Sequence, residues 1–549
     1  MNLSTLSPNV HSRSESGISP NDDWWRGATI YQIYPRSFLD SNGDGVGDLP
    51  GIYSKLDYIA SLGVDAIWIS PFFTSPMKDF GYDVADYRGV DPLFGTLQDL
   101  DDIVQKAHSL GLKLIIDQVY SHTSDLHAWF EESRQSRDNP KADWYVWADP
   151  KPDGSPPNNW QAVFGGPSWT WDSRRGQYYF HNFLSSQPDL NVHNVDVQDA
   201  LLGVAKFWLD KGVDGFRLDA INFAMHDPDL RDNPPAGLSA PADRTFDYQI
   251  HKYNQSHPNI ILFLERLRKL TDQYPGRFTL AEIGGPDALG EMQRFTRGDK
   301  RLNSAYSFDY LYADKIDSSH IKKTVSNWPQ IHDQGWPTWA FSNHDAPRCV
   351  SRWYNGSNPK QYCKLMAMLL LSLRGNAIIY QGEELGLPQA EVAFDRLQDP
   401  EALANWPKTL GRDGARTPMP WAKNETHAGF SNVEPWLPLD HRHTALAIDQ
   451  QTGQPGSVLE FHRSMIALRS GTKALQDGDI KFLDAPEDIC AFIRSSGAEE
   501  LLVVINLSED EQNWSAPKEP MHIVLTTQDG ISFDGKGALP PLFGYVARL

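Results

Sequence analysis

Residues 197–220 read VQDALLGVAKFWLDKGVDGFRLDA. In the first part of this stretch, apolar side chains recur at Val197, Leu201, Val204 and Trp208, a spacing that keeps one stripe of an α-helix against a core. Gly212 follows Lys211 and ends the helix, since glycine accepts the left-handed C-cap conformation. Gly215–Ala220 then changes period: Phe216 and Leu218 share one face of a strand, Arg217 and Asp219 the other. The same unit recurs at Leu97–Leu110, Gly111 and Lys113–Val119, and further short β-rich runs lie at Ala28–Tyr34, Ala66–Ser70, Phe278–Glu282, Ala305–Phe308, Thr338–His344 and Ala377–Gln381. Eight strands separated by helical patterns predict an α/β chain whose parallel strands close into a (β/α)8 TIM barrel.

Two segments break this rhythm. Residues 123–192 are rich in Trp, Pro, Gly and Asn and too long for a plain connection, so they predict a subdomain inserted after strand 3. A second Pro-punctuated excursion runs over about 382–443. Beyond the helical Val458–Arg469, alternating runs at Cys490–Arg494, Leu501–Asn506 and His522–Thr526 predict a C-terminal antiparallel β-domain. The expected division is a barrel of 24–122 and 193–470, an insertion of 123–192, a β-domain of 471–549 and a mobile extension of 1–23, which carries no apolar signal-peptide core.

Composition narrows the function. The 549 residues hold 50 Lys and Arg against 71 Asp and Glu, a net charge of −21, which repels nucleic acid and anionic membranes and suits a neutral or cationic ligand. Three cysteines without a Cys-x-x-Cys spacing, and no stretch apolar enough to span a bilayer, place the expected protein in the cytoplasm.

In a barrel of this kind the C-terminal strand ends converge on one face, where chemistry sits. Here they carry Asp117-Gln118-Val119-Tyr120-Ser121-His122, Gly215-Phe216-Arg217-Leu218-Asp219-Ala220, Glu282 and Asn343-His344-Asp345. Singly, each acid reads equally as a helix cap or a hydrated surface group. Together and in this order they resemble the motifs of the α-amylase family of glycoside hydrolases, a resemblance that covers residues 24 to 549. It implies a retaining mechanism, which needs two carboxyl groups about 5–5.5 Å apart. Asp219, held ionised by Arg217, is then the nucleophile; Glu282, flanked by apolar Leu280, Ala281 and Ile283, is the acid/base; and Asp345, the third catalytic acid, binds sugar hydroxyls together with Arg217, His122 and His344.

Within that family, Asp79-Phe80-Gly81-Tyr82 and Gly411-Arg412-Asp413-Gly414-Ala415-Arg416 are similar to α-glucosidases and oligo-1,6-glucosidases. The similarity implies that Asp79 and Arg412 pair across the pocket, with Arg416 as the competing partner, to grip a terminal glucose and make the site exo-acting. Tyr82, Phe164 and Phe183 offer ring faces to the sugar, although the two Phe also read as core filler. Gln187-Pro188-Asp189-Leu190-Asn191 resembles the marker of the oligosaccharide-acting branch, and Ala220 after the nucleophile points to α-1,4 substrates. The family's usual Asn before the motif His is Ser121 here.

Asp40-Ser41-Asn42-Gly43-Asp44-Gly45-Val46-Gly47-Asp48 spaces oxygen ligands at alternate positions, like an EF-hand loop lacking its final Glu. The relatives imply a structural Ca²⁺ or Mg²⁺ on Asp40, Asn42, Asp44, the Val46 carbonyl and Asp48; a bare Asx/Gly turn is the alternative. No organic cofactor is implied. The expected partner is a small oligosaccharide or an aryl or alkyl α-glucoside, bound by a monomer or homodimer, with hydrolysis accompanied by glucosyl transfer. The competing functions are an oligo-1,6-glucosidase, a sucrose- or trehalose-forming isomerase or glucosyltransferase, and a non-catalytic binding barrel.

Overall fold

The computed structural model describes residues 23–239, 241–328, 335–409, 411–518, 520–528 and 537–549; the expected extension lies outside them except for Asp23. Eight strands form the predicted sheet: β1 (Thr29–Ile33), β2 (Ala66–Ile69), β3 (Lys113–Val119), β4 (Gly215–Asp219), β5 (Phe278–Ile283), β6 (Ser304–Ser307), β7 (Thr338–Ala340) and β8 (Asn376–Tyr380). Their order is β6-β5-β4-β3-β2-β1-β8-β7, every neighbour parallel, and a parallel bridge between Ala305 and Pro337 closes the ring. β7 stops short of the predicted His344 because Asn343 Oδ1 accepts the amides of Asp345 and Ala346, at 2.9 and 2.7 Å, turning the chain out of the ladder.

Inward-facing Ile30, Trp68, Ile115, Leu280, Tyr306 and Ile378 fill the barrel, while the opposite strand faces pack on the surrounding helices. The helix of the opening stretch runs Val195–Asp210 and buries Val197, Leu201, Val204 and Trp208. Gly212 follows at φ +92°, as Gly111 does at φ +78° after Leu97–Ser109.

The 123–192 segment contains a helix, Ala128–Ser133, and a three-stranded antiparallel sheet of Trp147–Ala148, Gln177–Phe180 and Trp169–Asp172, with its own buried cluster of Trp160, Trp169 and Phe180. At the C-terminus five antiparallel strands run in the order Asp479–Phe482, Ile489–Ser496, Glu499–Asn506, Gly544–Arg548, His522–Thr526. The sheet docks on helix Pro359–Ser372: Gln361 Nε2 donates to the Leu542 carbonyl at 2.9 Å and Arg494 Nη1 to that of Ser372 at 2.6 Å. Lying between this sheet and the barrel, that helix is buried on nearly every side. Among the described residues no helix is long and apolar enough to cross a membrane, and the three cysteines are buried and free.

Candidate active site

Strand register assembles the site. Parallel pairing sets Asp117 on β3 beside Arg217 on β4, and Glu282 on β5 beside Tyr306 on β6, all at the C-terminal rim. The fully buried Arg217 guanidinium lies 2.7 Å from Asp117, 2.6 Å from Asp219 and in direct contact with Glu282. Tyr306 Oη donates to Glu282 Oε1 at 2.9 Å and accepts from Arg217 Nη2 at 2.9 Å. The amide of Ala220 donates to Glu282 Oε2 at 3.0 Å, and Trp68 Nε1 donates to Asp117 at 2.9 Å.

One buried cation is shared by three carboxylates, and the expected Arg217–Asp219 pair is one of its contacts. Burial pushes the Asp219 carboxyl well above the usual range, Arg217 opposes the shift, and the charges of Glu282, Asp117 and Asp345 add to it. Burial likewise lifts Asp117 to about 6 against the pull of Arg217. Asp345 differs. Burial raises its pKa, but His344, Arg416 and Arg412 outweigh that and hold the carboxyl well below its ordinary value. The contacts are 2.7 Å to Arg416, 3.4 Å to Arg412 and 3.2 Å to His344 Nε2.

A cavity of about 530 Å³ opens over these acids. Its polar part is lined by Asp79, Tyr82, His122, Asp219, Glu282, Asp345 and Arg412. Arg412 donates to Asp79 at 2.8 Å, so Arg412 and not Arg416 is the partner of Asp79; Arg416 serves Asp345. Phe164 and Phe183 also line the cavity, the first beneath the Arg412 guanidinium at 5.1 Å and the second 5.1 Å from the His122 ring. The remaining wall carries the apolar or aromatic Val163, Phe223, Phe246, Ile250, Phe308 and Tyr312, interspersed with Arg244, Gln249, His251, Gln255 and Glu401.

Three expected substrate ligands do not line the cavity: Arg217, His344 and Arg416, the last fully buried against Asp345. Arg217 lies beneath the acids, and His344 lies behind Tyr82, on which it stacks at 5.4 Å. The ring nitrogens of His344 are taken up by Gln32 at 2.8 Å, Tyr82 Oη at 2.5 Å and Asp345. Burial lowers His344 to about 3 and His122 to about 4, so both are neutral imidazoles at neutral pH. The unusual Ser121 pairs with His122 Nδ1 at 2.9 Å, leaving Nε2 to donate to the Tyr82 carbonyl at 3.1 Å. Gln187 of the QPDLN segment donates to Asp79 at 3.0 Å. Asp399, which sits in the aperiodic excursion and is not a predicted site residue, is at 2.8 Å a third carboxylate partner of Arg412, beside Asp79 and Asp345.

In the Asp40–Asp48 loop, Asp40 accepts amides from Asn42, Gly43 and Gly45 and the Ser431 hydroxyl, Asn42 accepts from Asp44, and Asp44 from Val46. Asp48 caps helix Leu49–Ser61 through Gly51 at 2.7 Å. The all-oxygen donor set has the chemistry a hard cation takes, with Asn42 and Asp44 at the surface. Its side chains nevertheless stand as a chain of Asx turns, and among the described residues no three His, Cys, Asp or Glu side chains converge as ligands. No catalytic step passes through this loop.

Enzymes built on (β/α)8 barrels place their chemistry at this C-terminal rim, and a pair of carboxyl groups flanking one pocket is what glycoside hydrolysis uses. The chain belongs to the α-amylase family of glycoside hydrolases: residues 32–478 match its alpha-amylase catalytic domain. It is 48% identical to a probable alpha-glucosidase of Rhizobium meliloti (strain 1021), over 98% of this chain and 100% of that protein. It is 38% identical to an oligo-1,6-glucosidase of Heyndrickxia coagulans, over 92% and 95%. Among solved structures it is similar to the alpha-glucosyl transfer enzyme XgtA, with 52% identity, TM-score 0.91 and coverage of 96% and 99%. An isomaltulose synthase mutant from Erwinia rhapontici NX5, in complex with sucrose, matches at 33% identity, TM-score 0.88 and coverage of 96% and 99%.

Proposed function

We propose that the protein is a retaining exo-α-glucosidase that removes glucose from the non-reducing end of small α-1,4-glucosides. The observation that carries this reading is the Arg412–Asp79 ion pair beside Asp345 in the wall of the cavity, the pairing that the resemblance to exo-acting glucosidases implies. Asp79, Asp345 and Arg412 bind hydroxyls of that sugar. Glu282 is the general acid of the first step. Asp219 attacks the anomeric carbon as the anion, the glycosidic bond breaks, and Glu282 gives its proton to the departing oxygen. Glu282 then takes a proton from water, whose oxygen attacks the glucosyl–Asp219 ester and frees the carboxylate. An alcohol in place of water gives glucosyl transfer. The mixed apolar and polar remaining wall supports either a second sugar or an aryl or alkyl aglycone as the leaving group.

With p-nitrophenyl α-glucoside, Asp219→Asn is expected to lower kcat by about 10⁴-fold or more, the scale of removing a nucleophile. A rate near wild type overturns the assignment. Similarity to isomaltulose synthase supports one second reading, in which fructose released from sucrose is recaptured at another hydroxyl. Chromatography of products from sucrose and maltose separates the two: free glucose supports hydrolysis, and a dominant isomer supports isomerisation.

A further inference from the structure

Besides the contacts of Arg217 and the Ala220 amide with Glu282, a buried side chain ties the chain after Asp219 to the chain after Glu282. Asn222 lies in the short 3₁₀ turn Ile221–Ala224 that follows Asp219, and it is fully buried. Its Nδ2 donates to the carbonyl of Gly284 at 2.9 Å, and its Oδ1 lies 3.4 Å from the Gly284 amide. Gly284 is two residues beyond Glu282. The same amide group stands 3.4 Å from Gln255 Oε1 and from Ser256 Oγ, and the Ser256 amide donates to the Asn222 carbonyl at 2.6 Å.

The backbone around this clamp is strained. Ala220, whose amide holds Glu282 Oε2, adopts φ +37° and ψ +42°, and Ser256 has φ +60°. Left-handed geometry is costly for residues with a Cβ and persists only where the surroundings enforce it. Asn222 is the residue that fastens both strained turns to the Glu282 strand end.

We infer that Asn222 is a positioning residue that fixes the approach of the Glu282 carboxyl to Asp219 by clamping the two strand ends through the Gly284 peptide. The inference rests on the roles proposed above for Asp219 and Glu282. It needs a donor on Nδ2, so an aspartate at this position, nearly the same in shape, satisfies it only when protonated. As a carboxylate it sets an anionic oxygen against the Gly284 carbonyl.

The test compares Asn222→Ala, Asn222→Asp and wild type by kcat and KM for p-nitrophenyl α-glucoside across pH, with thermal unfolding as the folding check. Asn222→Ala is expected to lower kcat about 100-fold with KM nearly unchanged, the scale of an ångström-level misplacement of reacting groups. Asn222→Asp is expected to recover relative to wild type as pH falls, because protonation restores the donor. Either variant folding normally with wild-type kcat, or Asn222→Asp showing a constant ratio to wild type at every pH, overturns the clamp. If Asn222→Ala does not fold, the pH ratio of Asn222→Asp decides. Failure of the underlying glucosidase reading shows separately, as wild type that releases no p-nitrophenol.

Discussion

Arg217 is a single buried cation shared by three carboxylates, and that imbalance has a consequence for stability as well as for chemistry. The carboxyl of Asp219 titrates higher in the folded chain than in the unfolded one, so the folded state binds more protons between the two values. Its contribution to stability is therefore present below the unfolded carboxylate pKa and is lost as pH rises through the folded value. Asp219→Asn removes that cost while leaving Arg217 with Asp117 and Glu282. The variant is expected to exceed wild type in stability at pH 7 by on the order of 1 kcal/mol, with the gap closing near pH 4. Thermal unfolding at the two pH values measures it; a less stable variant at pH 7 contradicts the shared-cation description. At this scale the acids themselves were legible, because strand ends and motif order mark them. Their partners were less so. Tyr306 follows only once β5 and β6 are in register, and Asp399 reaches Arg412 from a loop without periodicity.

Single elements vary in how much of themselves they disclose. The helix–glycine–strand units stand where the periodicity puts them, since amphipathic stripe, C-cap and buried strand agree. Strands Asp479–Phe482 and Gly544–Arg548 are not among the predicted runs; the structure adds the first at an edge of the C-terminal sheet and the second between Glu499–Asn506 and His522–Thr526. The Asp40–Asp48 loop is legible in composition but not in occupancy. Its turns and the Asp48 cap brace the start of helix Leu49–Ser61. We propose that a Ca²⁺ or Mg²⁺ held there stabilises the fold without entering the reaction. Exhaustive chelation is then expected to lower Tm, on the scale of a few kcal/mol of lost binding, and added Ca²⁺ or Mg²⁺ to restore it. An unchanged Tm identifies the loop as a self-sufficient set of Asx turns.

Over the whole molecule, the barrel supplies the acids, and residues from the 123–192 segment, Phe164 and Phe183, stand over them. The C-terminal sheet covers helix Pro359–Ser372 far from the chemistry. The net charge of −21 is carried by many more acids than the few at the strand ends, and it leaves a neutral sugar free to enter while turning polyanions away. What the whole chain is proposed to do reduces to one stereochemical statement: two successive displacements at the anomeric carbon, the first by Asp219. Proton NMR of the sugar first released from p-nitrophenyl α-glucoside, recorded before mutarotation, tests it directly. The account predicts that α-glucose appears first; β-glucose as the initial product would contradict it.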